Sequence, residues 1–116
     1  MNATGPVEAF LAHLSVERQG SAHTLDAYRR DLAALQAWAD ANGRTVLDLQ
    51  GDDLRAFIAS EHRRGLSPKS LQRRLSACRS LYRWLLKNGQ VVASPAEAIR
   101  APKAPRKLPQ VLDVDE

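Results

Sequence analysis

Lys69, Arg73, Ser76, Ser80, Arg83 and Lys87 follow one another at spacings of 4, 3, 4, 3 and 4 residues. On an α-helix, at about 100° per residue, these six side chains share one stripe about 80° wide. A row of cations and hydroxyls is suited to gripping a row of phosphates, whose oxygens accept hydrogen bonds from all of them. The stretch that carries the stripe, "SPKSLQRRLSACRSLYRWLLKNG" from Ser67 to Gly89, holds six Lys or Arg and no Asp or Glu. Leu71, Leu75, Cys78, Tyr82 and Leu85 fall in a second arc, about 80° wide, on the opposite side. One face is therefore expected to enter a core and the other to meet a polyanion.

A plainly solvated face is the competing explanation, since exposed Lys and Arg need no ligand. Against it stands the lack of any carboxylate at i,i+4, which would stabilise a helix that only had to be soluble. A membrane surface fits less well, because the apolar side is needed for the core and bulky exposed apolar residues are missing. The polyanion reading carries a condition. Its cations should not be tied up by carboxylates of the same fold, and Arg73→Ala or Lys69→Ala should weaken duplex binding with the melting temperature nearly unchanged.

Charge divides along the chain in the same sense. Residues 1–61 hold five Lys or Arg against nine Asp or Glu, whereas residues 62–110 hold twelve against one. Such asymmetry points to an anionic partner. The 116 residues suit one modest domain. Cys78 is the single cysteine, so no internal disulfide can form, and a reducing, cytoplasmic setting is expected. No amino-terminal apolar run reads as a signal peptide. No stretch approaches the roughly 20 apolar residues needed to span a bilayer.

The elements that would position the stripe are helices. Pro6 suits a first helical position, with Val7, Phe10, Leu11 and Leu14 at helical spacing up to a stop at Gly20. Thr24 is the expected N-cap of a second helix carrying Leu25, Tyr28, Leu32, Leu35 and Ala39, ended by Gly43. Asp52 and Asp53 are expected to cap a shorter third helix with Leu54, Phe57 and Ile58, ending at Gly65. Ser67 and Pro68 open the fourth. With no strand-period segment, the fold class is all-α. The helical domain occupies residues 1–89. Residues 90–116 comprise one or two helical turns in "SPAEAIR", then an extended basic linker, "APKAPRKLPQ". The closing "VLDVDE" looks like the start of a further helix, so a longer protein is expected.

Catalytic and metal constellations are missing from the pattern. His13, His23 and His62 lie far apart without ligand spacing, and no phosphate-binding glycine motif occurs. Tyr28, Tyr82 and Cys78 lie on apolar faces, and Trp38 and Trp84 at stripe edges, so packing is the expected role of all five. No cofactor and no metal site are expected, and no catalytic residue is assigned.

Three segments, "FLAHLSVERQGSAHTLDAYRRDLAAL", "GLSPKSLQRRLSACRSLYRWLLKNG" and "SPAEAIRAPKAPRKLPQVLDVDE", in this order and spacing resemble the amino-terminal part of a Xer-type tyrosine recombinase. Within the last of them, "APKAPRKLPQVLD" looks closer to the XerC branch than to the XerD branch. The resemblance implies a compact four-helix, SAM-like core-binding domain that grips a double-stranded DNA half-site. It implies contacts from Thr24 and Arg30 on the second helix and from Lys69, Ser70 and Arg73 on the fourth. The stripe adds Ser76, Arg83 and Lys87. It further implies a catalytic domain beyond this chain, where a tyrosine forms a covalent phosphotyrosine link to DNA. For the full protein it implies a XerD-like partner, a heterotetrameric synapse and a role in chromosome dimer resolution at cell division. The isolated chain should be a non-cleaving monomer.

Two other classes remain open on the residues alone: a helix-turn-helix regulator built on "RRGLSP", and a module whose basic stripe meets an acidic protein. Salt separates DNA from a protein partner. Neutralising about four phosphates predicts a log–log slope near −3.6, and a protein partner a flatter response.

Overall fold

The computed structural model describes residues 5–17 and 22–101. Among them are four α-helices and no strand: α1 (Pro6–Glu17), α2 (Ala22–Ala41), α3 (Gly51–Arg63) and α4 (Pro68–Lys87). A single 3-10 turn, Val46–Asp48, lies between α2 and α3. The all-α expectation holds. The stop at Gly20 and the linker beyond Ala101 lie outside the described residues.

Two starts differ from those expected. α2 already includes Ala22 and His23, which places Thr24 inside the first turn rather than at the cap. Alanine is the strongest helix former, so nothing in these two residues delays the helix until Thr24. α3 begins at Gly51 with Gln50 as N-cap. Asp53 works from three residues further on, where its carboxylate accepts the Gln50 backbone N–H at 2.7 Å. A carboxylate satisfies an orphan amide from the third helical position as well as from the cap, and the positive helix end favours it there.

The other boundaries follow local chemistry. Ser67 caps α4 through its Oγ, which accepts the Ser70 N–H at 3.2 Å, and Pro68 supplies a first residue with no N–H to lose. Gly65 (φ 103°) and Gly89 (φ 73°) end α3 and α4 in a left-handed conformation that only glycine adopts without strain. Each lets the next amide reach back, Leu66 N–H to Glu61 at 3.1 Å and Gln90 N–H to Leu85 at 2.9 Å.

The core is one cluster to which every helix contributes. Val7, Phe10 and Leu11 enter from α1, Leu32, Leu35 and Ala39 from α2, and Leu54, Phe57 and Ile58 from α3. From α4 come Leu71, Leu75, Cys78, Tyr82 and Leu85, as the stripe predicts, together with Ala77 and Leu81. α4 thus runs through the centre of the domain with one side sealed. Tyr82 is fully buried and its hydroxyl donates to the Val46 carbonyl at 2.6 Å, which satisfies a polar group that would otherwise be costly to bury. Trp84 packs against Phe10 and His13 of α1, and Trp38 against Phe57 of α3, so both tryptophans serve packing.

After Gly89 the chain folds back and adds Ala96, Ile99 and Ala101 to the same core. "SPAEAIR" makes only a turn at residues 95–98, closed by the Ile99 N–H to Ala96 carbonyl bond at 3.3 Å, where up to two helical turns were expected. Its polar anchors are on α4. Arg79 Nε donates to the Ala96 carbonyl at 3.3 Å and its Nη2 to the Ile99 carbonyl. Side-chain donors thus occupy carbonyls that a longer helix would have used internally.

Candidate nucleic-acid interface

The side of α4 away from the core carries the stripe. Lys69, Ser76, Arg83 and Lys87 are exposed, and Ser70, Arg73 and Ser80 are half-buried. From Lys69 to Lys87 the ridge is about 27 Å long at 1.5 Å per residue. On α2, Thr24 and Arg30 are both exposed. Arg30 directly precedes Asp31, the carboxylate that holds Arg73, so the amino-terminal half of α2 meets the amino-terminal third of α4.

The expected freedom of the ridge from internal partners is corrected by two pairs. Arg73 donates from Nε to Asp31 Oδ2 at 2.9 Å and from Nη2 to Asp31 Oδ1 at 2.8 Å. Arg83 donates from Nε to Glu97 Oε1 at 3.1 Å and from Nη2 to Glu97 Oε2 at 2.6 Å. Neither acid lies on α4, so the i,i+4 positions within that helix hold no trace of them. The hydrogen bond to Asp31 raises the pKa of Arg73 above the ordinary arginine value. The hydrogen bond from Arg83 likewise lowers that of Glu97. Among the described residues, Lys69, Lys87 and Arg30 form no ion pair.

A buried charge network lies beneath the ridge. Asp31 is fully buried and also accepts from Arg74 Nε at 3.1 Å. Arg74 donates from Nη1 to the buried Glu61 of α3, and Glu61 accepts Arg64 Nη1 at 3.1 Å. The chain Arg73–Asp31–Arg74–Glu61–Arg64 therefore links α2, α3 and α4. Ions removed from water must be paired and hydrogen-bonded, and each member of this chain is. Asp31 and Glu61 were not singled out from the sequence. A signal was present for Asp31, which falls only about 40° beyond Leu35 at the edge of the α2 apolar stripe. An acid in that place needs a buried cation.

Arg74 and Arg79, flanking the apolar arc, are thus structural. Among the described residues two lysines remain as unpaired cations of the ridge, beside two arginines held by one edge each. Every Arg, Lys and Ser of the ridge is on a rigid helix, and no carboxylate of α4 interrupts it.

The same helical span matches a family model, that of the phage integrase N-terminal SAM-like domain, over residues 7–89. The chain belongs to that family. Similar proteins include the tyrosine recombinase XerC of Xanthomonas campestris pv. campestris, 72% identical over 95% of this chain and 34% of the relative. XerC of Xylella fastidiosa is 61% identical over 95% of this chain and 38% of its own length. XerC of Pseudomonas aeruginosa is 50% identical over 94% of this chain and 36% of its own length. This integrase-type domain therefore spans little more than a third of the curated relatives it matches. All three likenesses extend beyond residue 89, since the matched share exceeds the family span. Among the described residues no helix is long and apolar enough to cross a membrane.

Proposed function

We propose that this chain is the DNA-gripping domain of a site-specific tyrosine recombinase and that it binds a duplex half-site through the outer ridge of α4 and the exposed amino-terminal part of α2. The observation that carries this reading is the ridge itself. Lys69 and Lys87, without an ion pair among the described residues, present exposed ammonium groups near its two ends, Ser76 is exposed between them, and Arg73 and Arg83 keep an edge of hydrogen-bond donors. Thr24, Arg30 and Ser70 complete the contact set. Ser70 is already engaged, its hydroxyl accepting from Ser67 Oγ at 3.1 Å at the start of α4, where the positive helix end adds to its attraction for a phosphate.

The relatives' name, tyrosine recombinase, supports the rest of the reading. The full protein would carry its catalytic tyrosine and charge-stabilising residues in a second domain, with this chain binding DNA but not cutting it. It would work in the cytoplasm with a XerD-like recombinase, as a heterotetramer, in chromosome dimer resolution. The chain alone would be a monomer. Because the phosphotyrosine link keeps the energy of the phosphodiester, the reaction needs no nucleotide cofactor.

Fluorescence anisotropy of the chain with a labelled duplex tests the central part. Binding that weakens steeply as salt rises is the expected result. Absence of duplex binding at low salt, or binding indifferent to salt, would reject it, and the latter would favour an uncharged mode of contact.

A further inference from the structure

Both ridge arginines are held by the same edge. In Arg73 and in Arg83 the carboxylate takes Nε and Nη2, so two of the five guanidinium N–H donors are used and the Nη1 side is left. The two braces differ in firmness. Glu97 is half exposed, whereas Asp31 is fully buried and is fixed by a third bond from Arg74, itself fixed by Glu61. Arg73 is therefore held in place by three helices while its side chain remains 41% exposed.

Such a guanidinium is a poor phosphate contact and a good base contact. Its charge is offset in part by Asp31, which Arg74 shares, so less is gained from a phosphate's charge than at Lys69, which forms no ion pair among the described residues. Its remaining fork of donors is braced, so less rotamer freedom is lost when it meets a pair of acceptors. In the major groove guanine presents such a pair, O6 and N7, and arginine meets them bidentately. We infer that Arg73 reads a guanine in the major groove, with Asp31 as the positioning residue that aims it, while Lys69 and Lys87 serve phosphates. The inference rests on the proposed DNA-gripping role and adds to it the element of sequence choice.

The experiment is a selection from duplexes randomised over about one helical turn, using the 116-residue chain as wild type, Arg73→Lys and Asp31→Asn. Wild type should select a guanine at one position. Replacing that guanine by adenine should weaken binding about 5- to 150-fold. Arg73→Lys keeps the charge but not the rigid fork that Asp31 aims, and its guanine-to-adenine ratio should fall well below that of wild type. Asp31→Asn removes a negative charge next to the DNA, so charge alone predicts tighter binding to every duplex. Positioning predicts in addition that the guanine ratio falls. Persistence of the ratio in Arg73→Lys, or a uniform gain with an unaltered ratio in Asp31→Asn, would overturn the inference. If circular dichroism shows Asp31→Asn unfolded, Arg73→Lys decides alone. Wild type that binds duplex without any guanine preference would refute the guanine reading and leave DNA gripping intact, whereas no duplex binding would remove both.

Discussion

A fully buried carboxylate must find its donors within its own fold, and Asp31 finds them in Arg73 and Arg74. Removing it leaves Arg74, only 11% exposed, with half its partners. Asp31→Ala should therefore cost about 3–5 kcal/mol in denaturant unfolding. Arg73→Ala should cost less, because Asp31 keeps Arg74, but the near-zero cost expected of a free surface arginine no longer applies. A melting temperature unmoved by Arg73→Ala would show that the Asp31 pair contributes little to the folded state. Cys78 offers a second check at this scale. Burial pushes its thiol up to about 12, against an ordinary 9.0. The folded protein then holds a proton that the unfolded chain releases first, so this group's stabilising contribution is full below pH 9 and is lost as pH rises towards about 12. Alkylation by iodoacetamide at pH 8 should be slow in the native protein and fast in denaturant. Rapid native labelling would contradict the burial.

At the scale of elements, α4 combines two faces with different energetic roles. Leu75 is 1% exposed, and Leu75→Ala should cost about 2–5 kcal/mol while leaving the ridge chemistry in place. Equilibrium unfolding measures that cost directly. Replacing Ser67 by Ala removes the acceptor for the Ser70 amide and should cost about 0.5–2 kcal/mol in the same assay. The helices, their stops at Gly43, Gly65 and Gly89, and the apolar arc of α4 were legible in the sequence because each depends on neighbours within a few residues. The starts of α2 and α3 were less legible, since several nearby residues can serve a helix amino terminus equally well. What the sequence hid were partners at long range. Asp31 and Glu97 lie 42 and 14 residues from the arginines they hold, so a count of charges within one helix overstated the free charge of the ridge.

For the whole molecule, that correction changes how strongly salt should act. With all four ridge cations neutralising phosphates, the log–log slope would be near −3.6, and with Lys69 and Lys87 alone near about −1.8. Glu97 offsets Arg83, and Asp31, shared with Arg74, offsets part of Arg73, which moves the ridge's own share towards the smaller value. The overall asymmetry remains, with twelve basic residues against one acid over residues 62–110, so long-range attraction to a duplex survives the internal pairing. Whether the ridge carries the DNA is decided by duplex binding across salt for wild type beside the double variant Lys69→Ala, Lys87→Ala. The double variant should keep the wild-type melting temperature, bind more weakly, and have a slope shallower by about 1.8. Equal affinities and parallel slopes for the two proteins would place the DNA elsewhere and contradict that role of the ridge.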